Sequence, residues 1–309
     1  MTNSDLEKIV DTTDDWIITR TGIRERHIAS ENECTSTFAV EAAKQALQKA
    51  GLKALDLDMI ICATVCPDMT LPSTACIIQA QLGAKKAAAF DLVAACSGFI
   101  YSLSIADQFI RTGTSKAILI IGAEVLSKYV DYTDRATCVI FGDGAGAAVV
   151  VPKNDGSGVL SSKIQSDGDY AEFLYTPGGG TKHPASEKSI KDRLHFIKMK
   201  GNELFKLAVR NMCDITTQVL NEAKVSSGDI NLFIPHQANK RITDAVAEKL
   251  GINQEKIYGN IDRIGNTSSA SIPIALDECI SLGKVKSGDI VMFSSFGAGV
   301  TWGSTLLRW

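Results

Sequence analysis

Residues 35–51, "TSTFAVEAAKQALQKAG", carry apolar side chains at helical spacing, and "LDMIICATV" (57–65) follows as a short continuous apolar run of the kind that makes a buried strand. The succession returns later in the chain. "GNELFKLAVRNMCDITTQVLNEAK" (201–224) is helical in period and leads to "INLFIPHQA" (230–238). A second pair follows: "STACIIQAQLGA" (73–84) and "NKRITDAVAEKLGI" (239–252) are both helical and both stop at Leu-Gly. A third pair is strand-like, "KAILIIGAEV" (116–125) and "GDIVMFSSFGAG" (288–299), and each precedes a closing strand, "GAGAAVVV" or "WGSTLLRW". Alternating helix and strand patterns predict an α/β fold, and the repetition predicts two pseudo-duplicated halves, 1–155 and 156–309. The segment 156–195 holds "DGD", "PGGG" and "HPAS" and reads as a long excursion between them.

Between strand-like and helical stretches lie two junctions of small residues, "AACSGF" (94–99) and "GNTSSAS" (265–271). An offset of 170 residues places Cys96 on Asn266. Ligands of α/β sheets bind beyond the carboxyl ends of strands. Cys96, His236, Asn266 and "FGAG" (296–299) all follow strand-like runs, so facing halves would bring them to one cavity. Phe99, Leu103, Ala106 and Ile110 mark a helix after Cys96, and a helix N-terminus lowers a thiol pKa. Two readings fit Cys96: a nucleophile, or a buried cysteine acting as a small hydrophobe. His236 is either a functional imidazole or a hydrogen-bonded strand end. Asn266 is either a neutral donor to developing negative charge or ordinary Gly-Asn turn chemistry. "FGAG" is either a backbone N–H source beside a ligand or a plain turn. "FGDGAGAAVVV" is not a dinucleotide fingerprint, because a strand-like run follows the glycines.

Composition narrows the classes. The 309 residues are 45% hydrophobic and 22% charged with a formal charge of −3, an ordinary globular balance that argues against nucleic-acid partners. The polar start "MTNSDLEKIV" is no secretory signal, and no apolar run has bilayer length. Eight cysteines occur without a CxxC pair or a Cys/His cluster, so neither zinc nor disulfides are expected. These features point to a soluble, cytoplasmic protein with reduced thiols.

The motifs "DTTDDWIITRTGIRERHI", "DLVAACSGF", "FGDGAGAAV", "PHQAN", "GNTSSAS" and "FGAGVTWGS" resemble, nearly end to end, the β-ketoacyl-acyl-carrier-protein synthase III family of condensing enzymes. The resemblance implies the thiolase-like fold, layered α-β-α-β-α with a mixed sheet in each half. It implies condensation of an acyl-coenzyme A primer with malonyl-acyl-carrier-protein, initiating fatty-acid synthesis, in a homodimer that needs no metal or redox cofactor. By the same resemblance Cys96 is the acylated nucleophile, with His236 and Asn266 completing the triad. The N–H groups of Cys96 and Ala298 form the oxyanion hole. Trp16, Arg20 and Arg135 hold coenzyme A, while Phe205 and Asn239 line the pantetheine tunnel. Lys206, Arg241 and Lys249 meet the carrier protein. Phe296 shields the thiol, and Leu71 reaches the partner's acyl pocket.

Other readings stay open beside it: a relative making polyketides or signalling molecules from other thioesters, a Cys/His thioester hydrolase, or a non-catalytic acyl-binding protein. A thiolase is disfavoured, since "SSFGAGVTWGS" has no second cysteine. One departure stands out. Family chains open with an apolar strand, as the second half does with "GVLSSKIQSD", yet Met1 directly precedes "TNSDLEKIV". The expectation is a sheet lacking a strand from its middle.

Overall fold

The computed structural model describes residues 1–309. Its first sheet is built from β1 (Met59–Ala63), β2 (Ala88–Leu92), β3 (Ile118–Glu124) and β4 (Gly144–Val150), in the order β2-β1-β3-β4. The second holds β5 (Gly158–Ser166), β6 (Leu232–Pro235), β7 (Ile290–Gly297) and β8 (Thr301–Arg308), in the order β5-β8-β7-β6. β1 runs parallel to β2 and β3, and β4 closes antiparallel. In the second sheet β6 is parallel to β7, and β8 and β5 close antiparallel. Each sheet is therefore mixed, and the two share one plan.

Seven helices of eight or more residues surround these sheets: α1 (Asp14–Thr21), α2 (Thr35–Ala50), α3 (Thr74–Leu82), α4 (Gly98–Arg111), α5 (Gly201–Ala223), α6 (Lys240–Leu250) and α7 (Ser271–Ser281). The period-two alternation along β3 assigns its two faces. Leu119 and Ile121 pack with Val40, Ala43 and Leu47 of α2 and Ile78 of α3. Ile118 and Ile120 pack with Phe99, Ile100 and Leu103 of α4 and with Ile272 and Leu276 of α7. The same inner cluster takes in Leu232, Ile234 and Phe293 of the second sheet, whose other face buries Phe233 and Met292 against α5 and α6. The layers are α2/α3, sheet one, α4/α7, sheet two and α5/α6, the expected α-β-α-β-α arrangement. No helix is long and apolar enough to cross a membrane.

Three sequence expectations change. The excursion is shorter than 156–195, because β5 occupies its first part; a two-residue hairpin (Leu174–Tyr175 with Lys198–Met199) and the short helix Glu187–Lys191 fill the rest. The junctions correspond at an offset of 173, not 170. Ala95 (φ 47°) and Ser268 (φ 50°) are equivalent left-handed residues, and α4 and α7 begin at Gly98 and Ser271. Ser269, rather than Asn266, is the counterpart of Cys96. Finally, the strand that "GVLSSKIQSD" contributes is not central. β5 pairs only with β8 and sits at the sheet edge. Its place in the first half is the outer edge of β4, where a groove of about 560 Å³ runs between Ala42 and Ala46 of α2 and Pro273 and Ile274 of α7. The four strands of the first sheet keep a continuous register, and the inner core closes over them.

Candidate active site

The nucleophile candidate is carried by a single 3-10 turn, Ala95–Ser97, wedged between β2 and α4. Side chains of the opposite sheet tie it down. Ser295 Oγ donates to Cys96 O at 2.7 Å, Thr301 Oγ1 to Ala94 O at 2.8 Å, and Ser97 Oγ to Thr301 O at 3.1 Å. Gly297 lies against the turn; a Cβ there would stand 2.7 Å from Cys96 N and 3.1 Å from Cys96 Cβ. Only a residue without a side chain allows that approach. The left-handed Ala95 is the strained residue that turns the chain here.

His236 closes β6, as its position after an apolar run suggests, with its N–H bonded to Ser294 O at 2.8 Å. Its Nδ1 lies 2.7 Å from Ser271 Oγ, and its Nε2 is buried without a partner. With Ser271 donating to Nδ1, the ring proton resides on Nε2. Burial pushes the imidazole pKa down to about 3, so it is neutral at physiological pH. Asn266 is 4% exposed and pairs with Phe141 of the first half. Ser268 N–H donates to Asn266 Oδ1 at 2.9 Å, which leaves the amide nitrogen free to face the cavity. Burial also acts on Cys96, pushing its thiol up to about 12 against the opposing hydrogen bond of Ser268. The helix N-terminus does not deliver the lowered thiol pKa read from the sequence, because dehydration outweighs it.

One cavity of about 510 Å³ unites Cys96, His236, Asn266, Phe296 and Gly297 at its floor. Its walls are apolar: Leu174, Met199, Leu204, Met212 and Ile242 among others. Toward the opening stand Trp16, Arg20, Phe205, Lys206, Asn239 and Arg241, so six of the substrate and carrier candidates meet the same space. The Arg20 and Arg135 guanidinium groups lie 5.5 and 4.8 Å from the centre of the Trp16 ring, and Arg241 lies 5.6 Å from that of Phe205. Asn239 is already engaged: it donates to Arg20 O at 2.9 Å, and its Oδ1 caps α6.

Other candidates fall outside the cavity lining. Arg135 reaches it only through the Trp16 ring. Ala298 follows Gly297 in the turn after β7 and is half-buried. Lys249 sits in the last turn of α6, its charge acting on Cys213 of α5. Leu71 is 82% exposed and does not touch the cavity of its own chain. Sequence reasoning gave no role to Glu124, and treated Ser268, Ser271 and Gly297 only as parts of motifs. Ser271 could have been found as the first residue of a helix beside the asparagine loop; nothing local marks Glu124.

Residues 90–168 match the family described as 3-Oxoacyl-[acyl-carrier-protein (ACP)] synthase III, and residues 220–309 match that family's C-terminal part. The chain is 53% identical over 309 residues to the β-ketoacyl-[acyl-carrier-protein] synthase III of Caldanaerobacter subterraneus subsp. tengcongensis, covering all of this chain and 93% of the relative. It belongs to the synthase III family. The crystal structure of the Aquifex aeolicus VF5 enzyme superposes with a TM-score of 0.93 at 52% identity, covering 100% of this chain and 95% of that one. The Thermus thermophilus enzyme gives 0.93 at 45%, with the same coverage. Membership makes the chain a condensing acyltransferase of the thiolase-like fold, and the cavity that unites Cys96, His236 and Asn266 is its candidate active site.

Proposed function

We propose that the protein joins an acyl-coenzyme A primer to malonyl-acyl-carrier-protein, giving a 3-ketoacyl-carrier-protein that starts fatty-acid synthesis. The observation that carries the reading is the meeting of Cys96, His236 and Asn266 at the floor of one apolar cavity whose opening bears Trp16 and basic side chains. In the first half-reaction Cys96 sulfur attacks the thioester carbonyl while the N–H groups of Cys96 and Ala298 hold the oxyanion. The carbon–sulfur bond to coenzyme A breaks, and the thiol proton of Cys96 leaves with the departing sulfur. The acyl group stays on Cys96.

Malonyl-carrier-protein then occupies the same cavity. Its carbon–carboxylate bond breaks, carbon dioxide departs, and the electron pair forms an enolate. His236 Nε2–H and the Asn266 amide donate to the enolate oxygen; both are neutral, so no buried charge has to be reorganised. The enolate carbon attacks the acyl carbonyl, the bond to Cys96 sulfur breaks, and the sulfur takes a proton from solvent. A thiol that prefers its proton is a fitting end state. Every step balances with the two substrates, this chain and one proton from solvent, without a metal or redox cofactor.

Lys206 and Arg241 at the opening, with Lys249 further along α6, offer positive charge to an acidic carrier protein. Trp16, Arg20 and Arg135 offer a stacking face and cations to the nucleotide of coenzyme A. The cell interior, where carrier protein and coenzyme A thioesters meet, is the expected location. A homodimer is supported by the bare edge of β2, together with the exposed Met69, Leu71 and Val93. A second copy there would bring Leu71 toward the partner's acyl pocket.

Intact-mass spectrometry tests the scheme with a panel of acyl-coenzyme A donors, followed by malonyl-carrier-protein. One acyl group should appear on the wild-type chain and disappear only when malonyl-carrier-protein is added. Cys96→Ser should stay unmodified. Asn266→Ala should acylate normally but condense about 10²-fold more slowly, the usual cost of a lost oxyanion donor. Acylation of Cys96→Ser, or acyl release to water alone, would reject the scheme.

A further inference from the structure

Glu124, the last residue of β3, is fully buried at the bottom of the site, one layer beneath the residues that face substrate. Its side chain follows Ile118, Ile120 and Gly122 on the face of β3 turned toward the inner helices. Four N–H or hydroxyl groups and the Cys66 thiol surround it. Val65 N–H and Thr64 Oγ1 lie 3.0 and 3.2 Å from Oε2; Ser268 Oγ and Ser269 Oγ lie 3.0 and 2.9 Å from Oε1. None of these partners is cationic. The titratable groups around it are Cys62, Cys66, Cys96 and Tyr129, which are all neutral when protonated and are all pushed up by burial.

Counting hydrogens decides its state. Ser269 Oγ lies 2.9 Å from Ala63 O as well as 2.9 Å from Glu124 Oε1. A hydroxyl has one hydrogen, a carbonyl has none, and an ionised carboxylate has none. If Ser269 donates to Ala63 O, its contact with Oε1 is a hydrogen bond only when the carboxyl supplies the proton. With the acid protonated on Oε1 all contacts are satisfied: Glu124 donates to Ser269, Ser269 to Ala63 O, and Ser268 to Oε1. With Glu124 ionised, one close contact is left without a hydrogen. Burial without a cation favours the same state, since desolvation raises the pKa of this carboxyl.

The turn that Glu124 grips is the one that aims Asn266. Ser268 is left-handed, a conformation that needs outside support, and its N–H fixes Asn266 Oδ1. We propose that Glu124, held as a neutral carboxylic acid, is a positioning residue of the condensation: it locks the Ser268–Ala270 turn and thereby points the Asn266 amide nitrogen at the enolate oxygen. A carboxylate in its place would oppose negative charge on the Cys96 sulfur and on the enolate, whereas the neutral acid does neither.

The proposal rests on the role given to Asn266 above, and its test keeps the two separable. Infrared difference spectra of wild type against Glu124→Gln at neutral pH should contain a protonated-carboxyl C=O band that shifts in deuterium oxide. That band reports on Glu124 whatever Asn266 does. Glu124→Gln, neutral and able both to donate and to accept, should keep acylation and condensation within about threefold of wild type. Glu124→Ala should acylate near normally, yet condense about tenfold or more slowly. The proposal is overturned by absence of the band, by Glu124→Gln being as impaired as Glu124→Ala, or by equal losses in both half-reactions. Should Glu124→Ala fail to fold, the band and Glu124→Gln decide. A normal Asn266→Ala enzyme together with the band would reject the Asn266 role and leave the protonated acid standing.

Discussion

Cys96 is required to be dry enough to keep water off an acyl thioester and reactive enough to attack one. The structure resolves this in favour of dryness: burial holds the thiol up near 12 with His236 neutral beside it. The thiolate is then a product of substrate arrival, not a resting species. Alkylation checks this. Labelling of Cys96 by iodoacetamide, followed by peptide mass mapping, should rise about tenfold per pH unit from pH 7 to 9, because the thiolate fraction grows that way well below the pKa. A plateau in that window would mean a thiol already ionised. Mapping is needed because the exposed Cys76 also reacts. Cys96 and His236 could be singled out from the sequence because each follows a strand; Asn266 follows the short helix Ile261–Ile264 and not the strand that was expected, so only its place in the "GNTSSAS" junction marked it. The environment of the thiol could not be read that way, because it is set by Ser268, Glu124 and Gly297, which are remote in the chain.

At the scale of elements, β3 is the beam on which the asparagine turn rests. Gly122 is the point of contact, since a Cβ there would lie 2.3 Å from Ser269 O. Gly122→Ala should therefore displace the turn and not merely crowd it. We expect about 1–3 kcal/mol of lost stability, the usual cost of overpacking, read as a lower Tm. Condensation should fall more than acylation, because Asn266 moves and Cys96 does not; unchanged rates for both would refute this account of the turn. Most helices and strands were legible because periods of 3.6 and 2 are local properties of the chain. The junction offset was not. "AACSGF" and "GNTSSAS" share no residue pattern that aligns them, and the true match rests on the backbone of Ala95 and Ser268. Nor was the edge position of β5, since strand order depends on contacts between distant segments.

As a whole molecule, the protein presents two bare edges of its first sheet, with different surroundings. The β2 edge leaves Phe90 and the following Val93 exposed, and Met69 and Leu71 in the loop before α3 are exposed as well. Sedimentation velocity should find a dimer for wild type and a monomer for Val93→Glu; a dimer that survives the substitution must be built elsewhere. The β4 edge instead lies at the bottom of the groove between α2 and α7, whose rims are joined by the Lys49–Asp277 ion pair. In the second sheet the corresponding flank is filled by β5, clasped on one side by Glu222 of α5 and on the other by Tyr101 and Arg111 of α4. The first sheet, which carries the nucleophile, is pressed by helices on both faces, much as a plank is held by clamps. Because α7 is one of those clamps and begins at Ser271, the residue that steadies His236, the seating of α7 between the sheets sets where the imidazole stands.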